Sequence, residues 1–324
     1  MLGNLLKLGM EWAQRQKPIL VHAEKCTHTR HRASSCKACT EICPMDSIEL
    51  KNGLSIDWSC NSCGLCTSVC PTEALELREK PNKEFYTDVK KCSEGNDKLF
   101  FHCQQAKEIE HLQNQLVISC FGMIDEVTIQ LAITNGIHQF HFLTDVCEQC
   151  TLFQGKNLFQ DRLKQWKQRY PEMDWITMTR ATYRASINNE QNGKKELHVS
   201  NQIARREFFK VFGNEAKQSV VKSVLKEKEK TPWENGELIT QQSIRLQVYQ
   251  KWIKPNLETI YPLQEKQFQL NEDLCTLCGI CEKVCPTQAI QIHQENQHLD
   301  FRQDQCISCD LCEDVCYRKA ITLL

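Results

Sequence analysis

Residues 275–290 read CTLCGICEKVCPTQAI, and residues 306–321 read CISCDLCEDVCYRKAI. Both set four cysteines at spacings of two, two and three residues, and both close on a small residue and an isoleucine. The pattern returns near the other end of the chain as CNSCGLCTSVCPTEAL, residues 60–75. A fourth copy, CKACTEICPMDSI at residues 36–48, has no cysteine at the first position and keeps the others as Cys36, Cys39 and Cys43. A unit repeated in two pairs at opposite ends of a chain is one small structure used again and again.

The spacing has a physical reason. The first three cysteines of a run lie on a tight loop, where Gly64 or Gly279 permits close approach of the backbone. Together they wrap one corner of an iron–sulfur cubane, while the fourth starts a short helix and reaches a neighbouring cluster. Segments this short bury too little apolar surface to fold alone, so iron stands in for a core. C-x2-C pairs also bind zinc. Four cysteines in each run, in adjacent runs mostly closed by proline, point to iron and sulfur instead.

Composition agrees. The chain has 324 residues, room for two or three domains. Its 40 basic and 41 acidic residues balance, which leaves no bulk charge for nucleic acid or an anionic membrane. It carries 21 cysteines. The opening MLGNLLKLGMEWAQRQKP has no continuous apolar stretch and no small-residue cleavage site, so these are expected to be metal ligands in a reducing cytoplasm rather than disulfides. No run is long and apolar enough to span a membrane. Leu2, Leu5, Leu6, Trp12 and Ala13 share one face of a leading helix. Packing on its own protein is the simpler reading, with docking to a partner or a membrane surface as the alternative.

Both ends, about residues 18–80 and 266–324, resemble the bacterial two-cluster ferredoxins. The resemblance implies four [4Fe-4S] clusters with one ligand exchanged within each pair of runs. Cys275, Cys278, Cys281 and Cys316 then hold one cluster, and Cys306, Cys309, Cys312 and Cys285 a second. Cys60, Cys63, Cys66 and Cys43 hold a third. The fourth takes Cys36, Cys39, Cys70 and one more ligand. Short apolar strands precede the motifs, at Ile56, at Phe268 and Leu270, and at Leu299 and Phe301. The matching strand in PILVHAEKC places Ile19 and Val21 before Cys26. Cys26 is thus the expected ligand, with THTRHRASS (residues 27–35) inserted after it, and His28 or His31 is the alternative. The basic insert, with Arg30 and Arg32, is expected to raise the nearby cluster's potential or to dock an acidic partner, with a neutral surface insertion as the alternative.

Five cysteines remain. KLFFHC, QLVISC and FHFLTDVC are strand-like and end at Cys103, Cys120 and Cys147. QQAKEIEHLQN and MIDEVTIQLAITNG between them read as helices, followed by a helix over about 156–170 and the strand DWITM. Alternating strands and helices predict a parallel sheet. Such sheets bind ligands beyond the carboxyl ends of their strands, so Cys103, Cys120 and Cys147 are placed to converge, with Cys150 as a fourth thiol. Buried structural cysteines and a redox dithiol are the alternatives. Cys92 is unassigned. Residues about 98–153 resemble the delta subunit of methyl-viologen-reducing hydrogenase, on the stretch LVISCFGMIDEVTIQLAITNGIHQFHFLTDVCEQC (residues 116–150), and on that family's pattern Cys103, Cys120, Cys147 and Cys150 are the candidate ligands. That implies an iron–sulfur cluster, [2Fe-2S] favoured, linking an electron-donating dehydrogenase or hydrogenase to a reductase. The final cysteines are closer together, and the first segment poorer in cysteine, than in that family.

The expected architecture is α+β ferredoxin-like dicluster domains at residues 1–90 and 263–324, flanking a small α/β parallel-sheet domain (91–180) and a helical connector (181–262). In the connector, SNQIARREFFKVFG, KQSVVKSVLKEKEK and SIRLQVYQKWIKP read as helices. No dinucleotide fingerprint, phosphate loop or H-E-x-x-H is present. The function expected is a multi-cluster protein relaying single electrons between redox partner proteins, a dehydrogenase- or hydrogenase-type donor and a reductase-type acceptor. The alternatives are a middle cysteine site that itself reduces a disulfide or small substrate, and a cluster-assembly scaffold.

Overall fold

The computed structural model describes residues 18–104, 106, 114–179, 182, 233–234, 237–238, 243–256, 266–293, 295 and 297–324. The expected leading helix, most of the helix after Cys103 and the connector helices over 200–213 and 217–230 lie outside the described residues.

The N-terminal unit is built from β1 (Ile19–Val21), β2 (Ile48–Glu49), β3 (Ser55–Ile56) and β4 (Leu75–Leu77), with short helices α1 (Thr27–Arg30), α2 (Ala38–Ile42) and α3 (Leu65–Val69). β1 pairs antiparallel with β4, setting Ile19 against Leu77, and β2 pairs with β3. The core is as much sulfur as hydrocarbon: Cys26, Cys39, Cys66 and Cys70 pack with Ile19, Ile56 and Leu75.

Helix α4 (Asn82–Ser93) leads into β5 (Lys98–Cys103), β6 (Gln115–Ile118), α5 (Glu126–Thr134), β7 (Gln139–Leu143), α6 (Phe153–Arg169) and β8 (Asp174–Met178). The four strands form one parallel sheet in the order β6-β5-β7-β8. Strands of such a sheet are covered on both faces, which is why KLFFHC and QFHFL are buried almost throughout. Asp125 caps α5, its side chain accepting from the Thr128 N–H at 3.0 Å, and Gly136 ends the segment at φ 98°. Phe101, Phe121, Phe142, Phe159 and Trp166 fill the centre, with the Phe101 and Phe142 rings stacked 5.3 Å apart.

Two expected boundaries move. The boundary between residues 90 and 91 falls inside α4, whose apolar stripe of Phe85, Tyr86 and Val89 is buried in the core of the middle sheet. After the short antiparallel pair β9 (Trp233–Glu234) and β10 (Glu237–Leu238), helix α7 (Ile244–Val248) continues as a wider turn to Ile253. This helix was expected in the connector, yet Val248, Tyr249 and Ile253 lie in the same core.

The C-terminal unit repeats the first. It contains β11 (Phe268–Leu270), α8 (Ile280–Val284), β12 (Ile290–His293), β13 (His298–Phe301), α9 (Leu311–Val315) and β14 (Ile321–Leu323). β11 pairs with β14, and β12 with β13, both antiparallel. Among the described residues no helix is long and apolar enough to cross a membrane.

Candidate metal centres

The repeat is explained by one backbone device. Three residues beyond each fourth cysteine the chain turns left-handed, at Asp46 (φ 50°), Glu73 (52°), Gln288 (55°) and Lys319 (55°). That turn aims the next N–H back at the sulfur. Ser47 donates to Cys43 Sγ at 3.4 Å, and Ala74, Ala289 and Ala320 donate to Cys70, Cys285 and Cys316, each at 3.2 Å. The small residue of each tail is the donor. Hydrogen bonds to cysteine sulfur are among the levers that tune an iron–sulfur cluster.

The thiols gather in sets. Cys43, Cys60, Cys63 and Cys66 line one cavity, and Cys275, Cys278, Cys281 and Cys316 line another. Burial, with the nearby charges of Cys70, Cys26 and Cys36, pushes the Cys39 thiol up to about 12. Burial, with Cys285 and Cys306 close by, pushes Cys309 up to about 12. Burial also raises Cys312, which has Cys309, Cys285 and Cys306 as neighbours. Buried thiols that raise one another's pKa suit a cationic centre, which would bind them as thiolates. Among the described residues no group of three Cys, His, Asp or Glu side chains closes up enough to hold a single metal ion.

The first run departs from the others where its first cysteine is displaced. After the second cysteine the regular runs place a left-handed residue, Gly64 (φ 75°), Gly279 (81°) or Asp310 (61°). Lys37 occupies that position at φ −127°. Cys26 nonetheless keeps register: it follows Val21 of β1 by five positions, as Cys275 follows Leu270 and Cys306 follows Phe301. Its buried thiol is pushed up to about 11, first by burial, with Cys70 and Cys36 beside it. The two imidazoles are engaged elsewhere. His28 Nε2 lies 2.6 Å from the Cys36 carbonyl oxygen, and His31 Nδ1 accepts from the Ala33 N–H at 3.1 Å.

The insert is neither idle nor free for an outside partner along its whole length. Thr27, Arg30 and Ser34 are buried. Ser34 donates to the Thr27 hydroxyl at 2.8 Å, Arg30 Nε donates to the Val284 carbonyl at 3.2 Å, and the Ser35 N–H donates to Asp314 Oδ2 at 2.7 Å. The expected docking loop therefore docks on the C-terminal unit of its own chain.

In the middle sheet, Cys103 ends β5, Cys120 follows β6, and Cys147 and Cys150 follow β7. Burial, then Cys103, Cys120 and Cys150, push the Cys147 thiol up to about 12. Burial raises Cys120 to about 11, with Cys150, Cys63 and Cys103 as charged neighbours. All four cysteines thus lie at or just beyond the carboxyl ends of the strands. Cys92 stays apart, packing on the hydrophobic core with its thiol 3.7 Å from the Gln115 carbonyl.

Glycines and arginines hold this edge against the N-terminal unit. A methyl group at Gly155 would run into the Cys120 sulfur, and one at Gly122 would meet Leu65 at 2.6 Å. Arg162 Nη1 donates to the Gly122 and Ile124 carbonyls at 2.7 and 2.8 Å, and its Nη2 to the Ser68 carbonyl at 3.3 Å. Arg245 pairs with Asp125 at 2.9 Å and donates to the Cys70 and Thr67 carbonyls at 2.7 and 2.5 Å. Neither arginine carries a motif that would have marked it in the sequence.

Residues 274–320 match the family model described as a 4Fe-4S dicluster domain, and residues 55–76 and 23–46 each match a 4Fe-4S binding domain. These domains make it an electron-transfer iron–sulfur protein. The match over 23–46 takes in Cys26, the whole insert and Cys43. No curated protein matches the chain.

Proposed function

We propose that the chain relays single electrons between a dehydrogenase- or hydrogenase-type donor and a reductase-type acceptor, through four [4Fe-4S] clusters and one further cluster in the middle sheet. The observation that supports this reading is the lining of two cavities by four cysteines each, Cys43, Cys60, Cys63 and Cys66 in one and Cys275, Cys278, Cys281 and Cys316 in the other, within the matched 4Fe-4S domains. Cys26, Cys36, Cys39 and Cys70 would hold one cluster, and Cys43, Cys60, Cys63 and Cys66 the next. Cys285, Cys306, Cys309 and Cys312 would hold a third, and Cys275, Cys278, Cys281 and Cys316 a fourth. Cys103, Cys120, Cys147 and Cys150 would take the fifth, a [2Fe-2S] cluster on the resemblance of this segment to the hydrogenase delta subunit.

When bound, such clusters accept and release one electron at a time, at potentials set by hydrogen bonds to sulfur, by charge and by solvent exposure. The chain supplies these controls. Backbone N–H groups point at the fourth cysteines, Cys26, Cys39, Cys66, Cys70, Cys281 and Cys306 are buried, and the exposed Cys278 brings one site to the surface, where a partner can reach it.

The reading is tested by reducing the anaerobically purified protein with dithionite and mixing it with one-electron dyes and with small disulfides. Electron exchange with the dyes and no turnover of the disulfides is expected. Catalytic disulfide reduction would assign the middle site a reaction of its own and overturn the relay.

A further inference from the structure

We propose that residues 27–35 are an internal junction that joins the two ferredoxin-type units into one continuous relay, with Arg30 set between the site of Cys26, Cys36, Cys39 and Cys70 and that of Cys285, Cys306, Cys309 and Cys312. The inference rests on the four-cluster reading above.

The insert lies between the first and second cysteines of one site, so its ends are fixed by that site. Its middle is fixed by the other. Arg30 is 3 % exposed, and its Nε bonds to the carbonyl of Val284, the residue before Cys285. Cys285 and Cys309 lie within the field of its guanidinium. The Ser35 N–H, next to Cys36, bonds to Asp314, which lies between Cys312 and Cys316. Asp310, next to Cys309, is near enough to act on the Cys36 thiol, and Lys266 pairs with it at 2.5 Å. A neutral surface insertion would leave Thr27, Arg30 and Ser34 in water, and all three are buried.

The same proximities set an order for the whole chain. Cys120 of the middle sheet neighbours Cys63, Cys66 neighbours Cys39, and Cys312 neighbours Cys281. Between Cys39 and Cys312 the remaining step crosses the junction. Tunnelling weakens steeply with distance, so a loop that clamps two units face to face decides whether electrons pass from one to the other. The exchange moves one electron: one site is oxidised as the other is reduced, and no bond is made or broken. A buried positive charge beside a site stabilises its reduced, more negative state. Arg30 is a positioning residue that also biases the electron towards the junction.

The test is a redox titration of the full-length, anaerobically purified protein, followed by EPR. In Arg30→Gln one cluster is expected to shift its one-electron equilibrium about tenfold towards the oxidised state, equivalent to 59 mV. Arg30→Lys, which keeps the charge, should restore most of that shift. A parent protein without [4Fe-4S] signals would overturn the proposed function itself. Intact signals with an Arg30→Gln titration superimposed on the parent's would overturn the junction alone. Amide hydrogen exchange tests the contact without reference to the clusters: the Ser35 N–H should be protected in the parent and lose that protection in Asp314→Ala. An unprotected Ser35 in the parent would also refute the junction.

Discussion

Replacing Arg245 with alanine should destabilise the protein by about 3–5 kcal/mol, the usual cost of removing one partner from a buried ion pair. The guanidinium and the Asp125 carboxylate are 14 % and 11 % exposed and 2.9 Å apart. Burial opposes ionisation of Asp125. The Arg245 charge, with hydrogen bonds from Tyr86 at 2.6 Å and from Thr128, outweighs it and holds the carboxyl below its usual range. Without Arg245 the carboxylate stays buried and uncompensated, and the Cys70 and Thr67 carbonyls lose a donor. Each such loss can cost about 1–3 kcal/mol, though costs within one network do not add. At about 1.4 kcal/mol per decade, the folding equilibrium should move by roughly a hundredfold or more. Anaerobic urea unfolding followed by circular dichroism measures this. Asp125→Asn combined with Arg245→Met should recover much of the loss, because both charges leave together while Asn keeps the helix cap. An Arg245→Ala protein within about 0.5 kcal/mol of the parent, the range of an ordinary surface substitution, would refute the reasoning.

The same pair predicts acid sensitivity. Its carboxyl is depressed in the folded state, so its contribution is present above the unfolded pKa of about 3.9 and is lost as pH falls through the folded value. Asp125→Asn should flatten stability against pH in that range, and an unchanged curve would contradict it. Cys26→Ser should remove one [4Fe-4S] signal and lower the iron content, whereas His28→Ala and His31→Ala should leave both unchanged. Loss of the same signal in either histidine variant would move the ligand from Cys26. Gly155→Ala pushes a methyl group at Cys120 and Leu65. It should cost about 1–3 kcal/mol by overpacking and alter the spectrum of the middle site while sparing the C-terminal unit. A parent-like spectrum would place Cys120 outside that site.

The four runs and the alternation of strands and helices in the middle segment were legible because both rest on local signals. Cysteine spacing, tail residues and the change from helical to strand-like apolar pattern each lie within a few residues of the element they mark. The register of Cys26 was readable for the same reason: the strand Ile19–Val21 stands at the distance from it that Phe268–Leu270 keeps from Cys275. What stayed hidden depends on contacts between distant segments. THTRHRASS reads as a polar surface loop until Val284 and Asp314 are seen to receive it. Helix Asn82–Ser93 reads as the end of one domain, although its buried face belongs to the next. Arg162 and Arg245 carry no local signal, and their role shows only in what distant segments bring to them: the carbonyls of Gly122, Ile124 and Ser68 for Arg162, and Asp125 with the carbonyls of Cys70 and Thr67 for Arg245.

The most direct measurement is iron and acid-labile sulfide per chain in protein purified without oxygen, with the reduced sample examined by EPR. Four [4Fe-4S] clusters predict about sixteen irons per chain with matching sulfide, and the middle site adds to that number. Clearly fewer than about sixteen irons in fully loaded protein, or zinc in place of iron, would contradict the account.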